Sequence, residues 1–592
     1  MRICEPLRFS GKILSATVSR EADHWQVSIA VETDAPVLLL SEGWLDMPKK
    51  KTVAYFCMEY ALDNRLQTYA GGLGILAGDY MKGATDAKTG LVGLGIRWKQ
   101  GYGEQVIDPK TKWPYDAYRM NPKIGMEDTG IRVTVRIKGR DVVIMAWKVN
   151  DFGVENLYLL DTDIDENDGE ARWITGQLYG WFGEERVAQE MVLGVGGVRV
   201  LRALGIHPEV YHFNEGHALL AGLELIREKQ EAGAIFEEAR AKTRQQIVFT
   251  THTPVIEGNE SHPIERLMYM GANLGLAKSQ LKSIGGSPFN MTVGALRLSR
   301  MANAVAALHA ETANRMWADV KDRCDIIGIT NAIHMPTWVD AKMLELAEAY
   351  DGGWNSATAL WERHAGNKKK LLKFIRERTG AKLDPDALLI GFSRRAVPYK
   401  RSNFIFTDKK FIAPLLRKGK IQIVFSGKAH PLDDNGKKIV AEIVEMAAQY
   451  PNAVVFLENY DMEIGQMLTR GSDVWLNNPR RPKEASGTSG MKAAMNGVLN
   501  LSILDGWWPE ACIHGVNGWQ FGDGFESAEA DVLDKHDFKA LKKVLRDEVL
   551  PAYYDLREQW IRMMAESIRT TREPFGMKRM LEEYEEKMYR KL

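Results

Sequence analysis

Short apolar runs alternate with long helical patterns along almost the whole chain, and that alternation limits it to an α/β architecture. In the first half the runs Val53–Cys57, Leu91–Ile96, Val142–Trp147, Leu157–Leu160, Val210–Phe213, Ile247–Thr251 and Ile326–Ile329 read as strands. In the second half the same reading falls on Leu388–Phe392, Ile421–Ser426, Val454–Leu457, Val474–Leu476 and Leu499–Ile503. Several are apolar at every position, as expected for strands buried on both faces. Helical periodicity fills the intervals, notably Ala171–Leu204, His217–Lys229, Gly294–Met316 and Lys437–Gln449. Such alternation predicts parallel sheets.

The pattern restarts after Asn331, and a charged, helix-rich stretch from Ala341 to Lys382 separates the halves. A chain of 592 residues is too long for one core. We therefore read two doubly wound α/β domains, 47–331 and 332–592, facing each other across a cleft, with residues 1–46 as an N-terminal extension. Ligands in such sheets bind beyond the carboxyl ends of the strands. The last segment, Ala540 to Leu592, is helical and highly charged.

Lys+Arg and Asp+Glu both number 78, so nothing asks for nucleic acid or an anionic membrane as partner. A neutral polysaccharide suits such a surface, as do many other ligands. Four cysteines, Cys4, Cys57, Cys324 and Cys512, lie far apart without metal-site or disulfide spacing, which points to a reducing cytoplasm. No apolar run approaches the roughly 18 residues that span a bilayer, and the N-terminus lacks the apolar core of a signal peptide.

The run Glu484-Ala485-Ser486-Gly487-Thr488-Ser489-Gly490-Met491-Lys492 carries the most chemistry. Small residues let backbone N–H groups approach an anion, and hydroxyls add donors. A helix from Met491 onward would place them at its N-terminus. A lysine one turn in, once desolvated, favours the neutral amine that forms a Schiff base. Together these features describe an aldehyde cofactor that carries a phosphate. Read alone, the run is more simply a flexible Gly/Ser loop before a helix with one solvated lysine.

The longer window from Lys483 to Glu510 resembles the pyridoxal-phosphate segment of the α-glucan phosphorylases, retaining enzymes that cleave glycogen, starch or maltodextrin with inorganic phosphate. The match runs from about Val53 to at least Gly522 and implies the GT-B type of fold, two Rossmann-like domains across a cleft. It places pyridoxal 5′-phosphate on Lys492, with Thr488, Ser489 and Arg394 at the cofactor phosphate. Arg394 stands where better-known members carry a lysine. Arg395 and Lys400, in the basic turn Gly391–Arg401, become inorganic-phosphate contacts. A solvated basic turn is the plain alternative.

The glycine turn Tyr69–Gly78 resembles the family loop at the substrate phosphate and sugar. It gives Gly72 as an N–H donor and Leu73 as a backbone sugar contact, although a tight strand-to-helix turn explains the glycines as well. His252 acquires a role at the sugar hydroxymethyl group. The segment His212–His217 resembles one lining the catalytic cleft, with His217 as a substrate residue. Asn214 and Glu215 there could equally cap the helix. Glu484 is placed on sugar hydroxyls, with Ser486 and Gly487 nearby.

The resemblance implies phosphorolysis of α-1,4-glucan with release of α-glucose 1-phosphate and retained configuration. In the family the cofactor phosphate, not the aldehyde, serves acid–base catalysis. The family is commonly dimeric, but no homodimer interface can be read from these residues. Ser489-Gly490 replaces the Gly-Asn of animal and plant members, which points to a short bacterial and archaeal branch. The large regulatory insertions have no counterpart here, so allosteric control is not carried over. The alternatives are a nucleotide-sugar glycosyltransferase of the same fold, akin to a glycogen synthase, and an inactive glucan-binding protein.

Three further signals are discounted. Gly194-Val195-Gly196-Gly197 sits inside a helical pattern and reads as close helix packing. Asp161-Thr162-Asp163-Ile164-Asp165 starts like a calcium loop but has Glu166 where glycine is needed, and no metal is expected. Trp507-Trp508 could stack on sugar or lie in a core. Upstream of Met47, the run from Gly11 to Pro36 resembles a short segment of transposon-encoded nucleases. It lacks their carboxylates and implies no nuclease activity. Residues 1–46 are expected to be dispensable for the working enzyme.

Overall fold

The computed structural model describes residues 12–21, 24–32, 39–45 and 51–590, and the chain forms two compact units, Met1–Lys51 and Thr52–Leu592. The first unit is an antiparallel meander of Lys12–Glu21, His24–Glu32 and Leu39–Leu45. The remainder of the 1–46 extension lies outside the described residues.

The second unit holds two large sheets. In the first, nine strands run in the order Ile326–Gly328, Met301–Ala304, Ile247–Thr251, Val210–Asn214, Val53–Phe56, Leu91–Ile96, Leu157–Asp161, Arg140–Val149 and Met126–Ile137. The first seven are mutually parallel, and the last two form an antiparallel hairpin on the edge. The second sheet is wholly parallel, in the order Val454–Leu457, Ile421–Ser426, Leu388–Ser393, Val474–Asn477, Leu499–Ile503 and Gly518–Phe521. Numbered along the chain this is 3-2-1-4-5-6, the doubly wound order. The fold class read from the sequence is the one observed. Residues such as Val53–Phe56, Leu388–Ser393 and Ile421–Ser426 are buried throughout because helices cover both faces.

Two long helical readings are corrected. The stretch 294–316 is broken into helix Met291–Leu298, strand Met301–Ala304 and helix Ala307–Met316. Met301–Ala304 has helix-forming alanines, but it fills a slot between two parallel strands, and tertiary pairing overrides local propensity. The stretch 171–204 is likewise interrupted. Gly169–Trp173 ends early, and Glu184–Met191 starts only after Gly183, at φ +78°. It then continues through a π-helical turn, Val192–Gly196, into Gly197–Ala203. That turn contains the glycine cluster, and a Cβ on Gly194 would meet the backbone N of Ala221 at 2.5 Å, so close helix packing explains it. The edge strand Met126–Ile137 had no counterpart in the sequence reading, because its alternating exposure lacks a continuous apolar run.

The chain end returns to the first sheet. Helix Met577–Tyr584 and the turn to Tyr589 pack on helix Gly72–Asp86, in one core with Val53, Tyr55 and Tyr80. Tyr589 Oη lies 2.8 Å from His212 Nδ1. These residues were counted with 332–592 in the sequence division. A further core joins the two halves. It brings Ile75 of helix Gly72–Asp86 together with Trp338, Met491, Met495, Trp507 and Trp508. Trp507 and Trp508 are thus core residues, 1% and 0% exposed.

Candidate active site

Strand order reverses at one place in each sheet, and the loops that leave those places supply the site. In the second sheet the switch lies between Leu388–Ser393 and Val474–Asn477. The basic turn from Arg394 leaves the first strand and the loop ending at Gly487 leaves the second, so their side chains meet. Arg394 donates from Nη2 to Glu484 Oε2 and from Nη1 to Ser489 Oγ, the latter at 3.2 Å. Lys400 Nζ donates to Glu484 Oε2 at 3.0 Å. Burial alone would raise the Glu484 carboxyl, but the charges of Arg394 and Lys400 outweigh it and hold the group down at about 2. Behind it, Asp505 Oδ2 accepts the backbone N–H of Glu484 at 2.9 Å. Burial and then the nearby Glu484 charge push Asp505 up to about 8, so it keeps its proton at neutral pH. Gly487 sits at φ +89°, a conformation glycine adopts without strain, and initiates helix Thr488–Ala494.

Lys492, in that helix, is 4% exposed. Its Nζ lies 3.3 Å from the centroid of the Trp338 ring and makes no hydrogen bond or ion pair among the described residues. Burial lowers its amine to about 8, with Asp79 as the opposing charge. Ser486 is buried and its Oγ has no hydrogen-bond partner.

In the first sheet the switch lies between Val53–Phe56 and Val210–Asn214. Glu59 follows the first of these strands. Its Oε2 accepts the N–H groups of Ala70 and Gly71 at 2.7 and 3.3 Å, and its Oε1 accepts Tyr179 Oη at 2.8 Å. Those bonds tie down the glycine turn and leave Gly72 exposed at the first position of helix Gly72–Asp86, with no atom within 4 Å of a Cβ placed there. Leu73 is half-buried beside it. Arg395 reaches this region from the other sheet. Tyr399, Tyr102, Glu59 and Tyr179 act on its guanidinium, which is exposed to solvent. It has no hydrogen-bond or ion-pair partner among the described residues.

Glu215 and His252 follow neighbouring strands. Glu215 adopts φ +74°, uncommon for a residue with a side chain. Its Oε2 accepts His252 N–H at 2.9 Å and Thr253 Oγ1 at 3.0 Å. His252 Nε2 lies 2.5 Å from Asn214 Oδ1, while Asn214 Nδ2 donates to Cys57 Sγ at 3.2 Å. His252 Nε2–H thus donates to the Asn214 oxygen, and Nδ1 of the neutral ring is left as an acceptor. Burial lowers both His252 and His217 to about 3, so neither carries charge at neutral pH. His217 Nδ1 is buried without a partner, and its ring packs 5.6 Å from that of Tyr179.

Thus Arg394, Lys400, Glu484, Gly487 and Ser489 form one cluster, with Thr488 opening the helix that carries Lys492. Arg395, Gly72, Leu73 and His217 gather around Glu59 and Tyr179, while His252 follows the strand Ile247–Thr251. The sequence reading did not single out Glu59, Asp79, Tyr179, Trp338 or Asp505. Asp79 and Trp338 carry no local signal, since they meet Lys492 only through tertiary packing. The carboxylates of the discarded calcium-like run are taken by Arg97, Lys99 and Arg172. One other group has ligand-type atoms close together, Glu190, Glu260 and His262, but Arg186 donates to Glu260 at 2.7 Å and already supplies a cation there.

The carbohydrate phosphorylase family model matches residues 312–512, a span that holds Trp338, the basic turn and Lys492. The chain is 38% identical to a maltodextrin phosphorylase of Thermococcus litoralis, over 92% of this chain and 71% of the relative. The chain belongs to the carbohydrate phosphorylase family. A glycogen phosphorylase of Aquifex aeolicus is 35% identical over 92% of this chain and 87% of its own length, and one from Mycobacterium tuberculosis is 34% identical over 91% and 70%. Among the described residues no helix is long and apolar enough to cross a membrane.

Proposed function

We propose that this phosphorylase-family chain cleaves α-1,4-glucan with inorganic phosphate and releases α-D-glucose 1-phosphate, with pyridoxal 5′-phosphate held at Lys492. The observation that carries the reading is a buried lysine without a hydrogen-bond partner, one turn into a helix whose first residues meet Arg394. The residues fit the cofactor: the Lys492 amine is desolvated and available, and Ser486 Oγ is an orphaned buried donor. Thr488, Ser489 and Arg394 would hold the cofactor phosphate. When bound, the cofactor supplies a phosphate with a second pKa near 6, suited to acid–base work at neutral pH.

The chain's own residues divide the remaining work. Arg395 and Lys400 would take the charge of the incoming phosphate, Arg395 from a cleft wall where it makes no hydrogen bond or ion pair among the described residues and Glu59 is the carboxyl within its field. Gly72 would add a backbone N–H, with the Leu73 backbone against the sugar. Glu484 and Gly487 would face sugar hydroxyls, and Lys400 would be shared between Glu484 and phosphate. His252, neutral and fixed by Asn214, would accept from the sugar hydroxymethyl group through Nδ1. His217 beside Tyr179 would complete the sugar wall. In the reaction, the glycosidic C1–O bond breaks, its oxygen takes a proton, and a phosphate oxygen bonds to C1 on the same face. Division into working domains at 331/332, with the end of the chain from Met577 returning to the first of them, and an assembly of two chains belong to the same proposal.

Incubation with maltoheptaose and phosphate is expected to release glucose 1-phosphate and a chain one glucose shorter. Free glucose or maltose without glucose 1-phosphate would refute the reading. So would glucan extension from a nucleotide sugar, or binding without turnover.

A further inference from the structure

The lysine at the centre of the site is held by groups from both halves of the molecule. Trp338 Nε1 donates to both oxygens of Asp79, each at 2.8 Å, and the face of the same ring lies under Lys492 Nζ. Asp79 comes from helix Gly72–Asp86, the helix that begins at the glycine turn. All three side chains are buried, at 2% for Asp79, 0% for Trp338 and 4% for Lys492. Asn496 fixes the spacing between tryptophan and lysine. Its Nδ2 donates to Trp338 O at 3.2 Å and to Lys492 O at 2.8 Å, while its Oδ1 accepts Asp340 N–H at 2.9 Å.

The neighbouring cations do not explain Asp79. Burial raises the Asp79 carboxyl, and Lys492 is the first of the groups that oppose that rise, ahead of the Trp338 N–H, His334 and Lys82; Tyr460 also lies within its field. His334 Nε2 lies 2.9 Å from Asp86, and Lys82 Nζ donates to Leu62 O at 3.1 Å. Lys492 acts on Asp79 most strongly of the three, and its nitrogen lies over the indole that Asp79 holds. A carboxylate with a single N–H donor in a buried place is costly, whereas an indole N–H needs only a carbonyl oxygen. A neutral acceptor would satisfy the tryptophan at less cost. The presence of a buried acid there, rather than a neutral acceptor, is therefore the feature to be explained.

We propose that Asp79, acting through Trp338, is a positioning residue that seats the Lys492 nitrogen and favours its protonated form once it carries pyridoxal phosphate. The inference rests on the cofactor reading above. An anion near the site stabilises a cationic nitrogen, and the Trp338 π-face adds to the same preference. The Asp79–Trp338 bond joins helix Gly72–Asp86 to the indole beneath Lys492.

The test uses the full-length, cofactor-loaded protein. Absorbance of the bound cofactor is followed from pH 5 to pH 10, and borohydride reduction with peptide mass mapping locates the attachment. Asp79→Asn is expected to lower the midpoint of the titration by about one pH unit, a roughly tenfold loss of proton affinity. Trp338→Phe keeps a ring but removes the N–H, and is expected to move the midpoint in the same direction. The double variant should move it no further than Asp79→Asn. A midpoint unchanged in Asp79→Asn, or raised, overturns the proposal. If that variant does not fold, an unchanged midpoint in Trp338→Phe overturns it. A wild-type protein with no cofactor label on Lys492 overturns both this inference and the cofactor reading. A labelled Lys492 with identical titrations overturns this inference alone.

Discussion

Replacing Glu484 by glutamine removes the one anion between two cations while keeping shape, and its cost can be worked in two ways. The carboxyl drops from its ordinary value near 4.5 to about 2 in the folded protein. A carboxylate whose folded pKa is depressed contributes stability that is fully present above its unfolded value and is lost as pH falls through the folded one. A drop of that size corresponds to about 3 kcal/mol at pH 7, at 1.36 kcal/mol per unit. Breaking a buried ion pair by removing one partner typically costs about 3–5 kcal/mol, because the other charge is left uncompensated. The two routes agree. Asp505 opposes them. Its folded pKa is raised, so it weakens the fold as pH climbs from its unfolded value toward about 8. Loss of the Glu484 charge relieves part of that penalty and favours the lower end of the range.

For a cooperative unit of roughly 540 residues, 3 kcal/mol is a fall of about 3 °C in Tm. Scanning calorimetry at pH 7 in chloride should show that fall for Glu484→Gln. Adding inorganic phosphate should recover more of it than it adds to the wild type, since the anion replaces the missing carboxylate between Arg394 and Lys400. Lowering the pH from 7 to 5 should widen the difference, as the relieved part of the Asp505 penalty fades in both proteins, and below about 4.5 it should shrink by about 1.4 kcal/mol per pH unit. A variant as stable as the wild type at pH 7, or one that phosphate helps no more than the wild type, would refute the reasoning.

Arg395→Ala is expected to raise the KM for phosphate by roughly ten- to a hundredfold, the loss of a charge-assisted contact worth about 1.5–3 kcal/mol, with cofactor content unchanged; an unaltered phosphate dependence would remove Arg395 from the site. A chain beginning at Met47 is expected to retain full activity and a nearly unchanged Tm, and aggregation or loss of cofactor in that protein would show the first unit to be integral.

Much of the fold was legible because buried parallel strands write themselves as continuous apolar runs. Ile247–Thr251, Ile421–Ser426, Val454–Leu457 and Leu499–Ile503 begin and end where the runs do. Met301–Ala304 could not be read this way, since its alanines favour helix and only the neighbouring strands make it one of them. The chemistry-bearing loop from Glu484 to Lys492 was also legible, because anion-binding needs small residues and hydroxyls in local order. By contrast, the sequence holds no sign that Arg394 and Lys400 close on Glu484, since those groups are about 90 residues apart and meet only where the strand order reverses. Nor could it reveal that Asp79 and Trp338, separated by 259 positions, enclose the lysine. Local order determines which backbone conformations and ligand types a segment offers. Desolvation and charge pairing depend on what the rest of the chain places beside it, and those decide which lysine is available and which carboxylate stays charged.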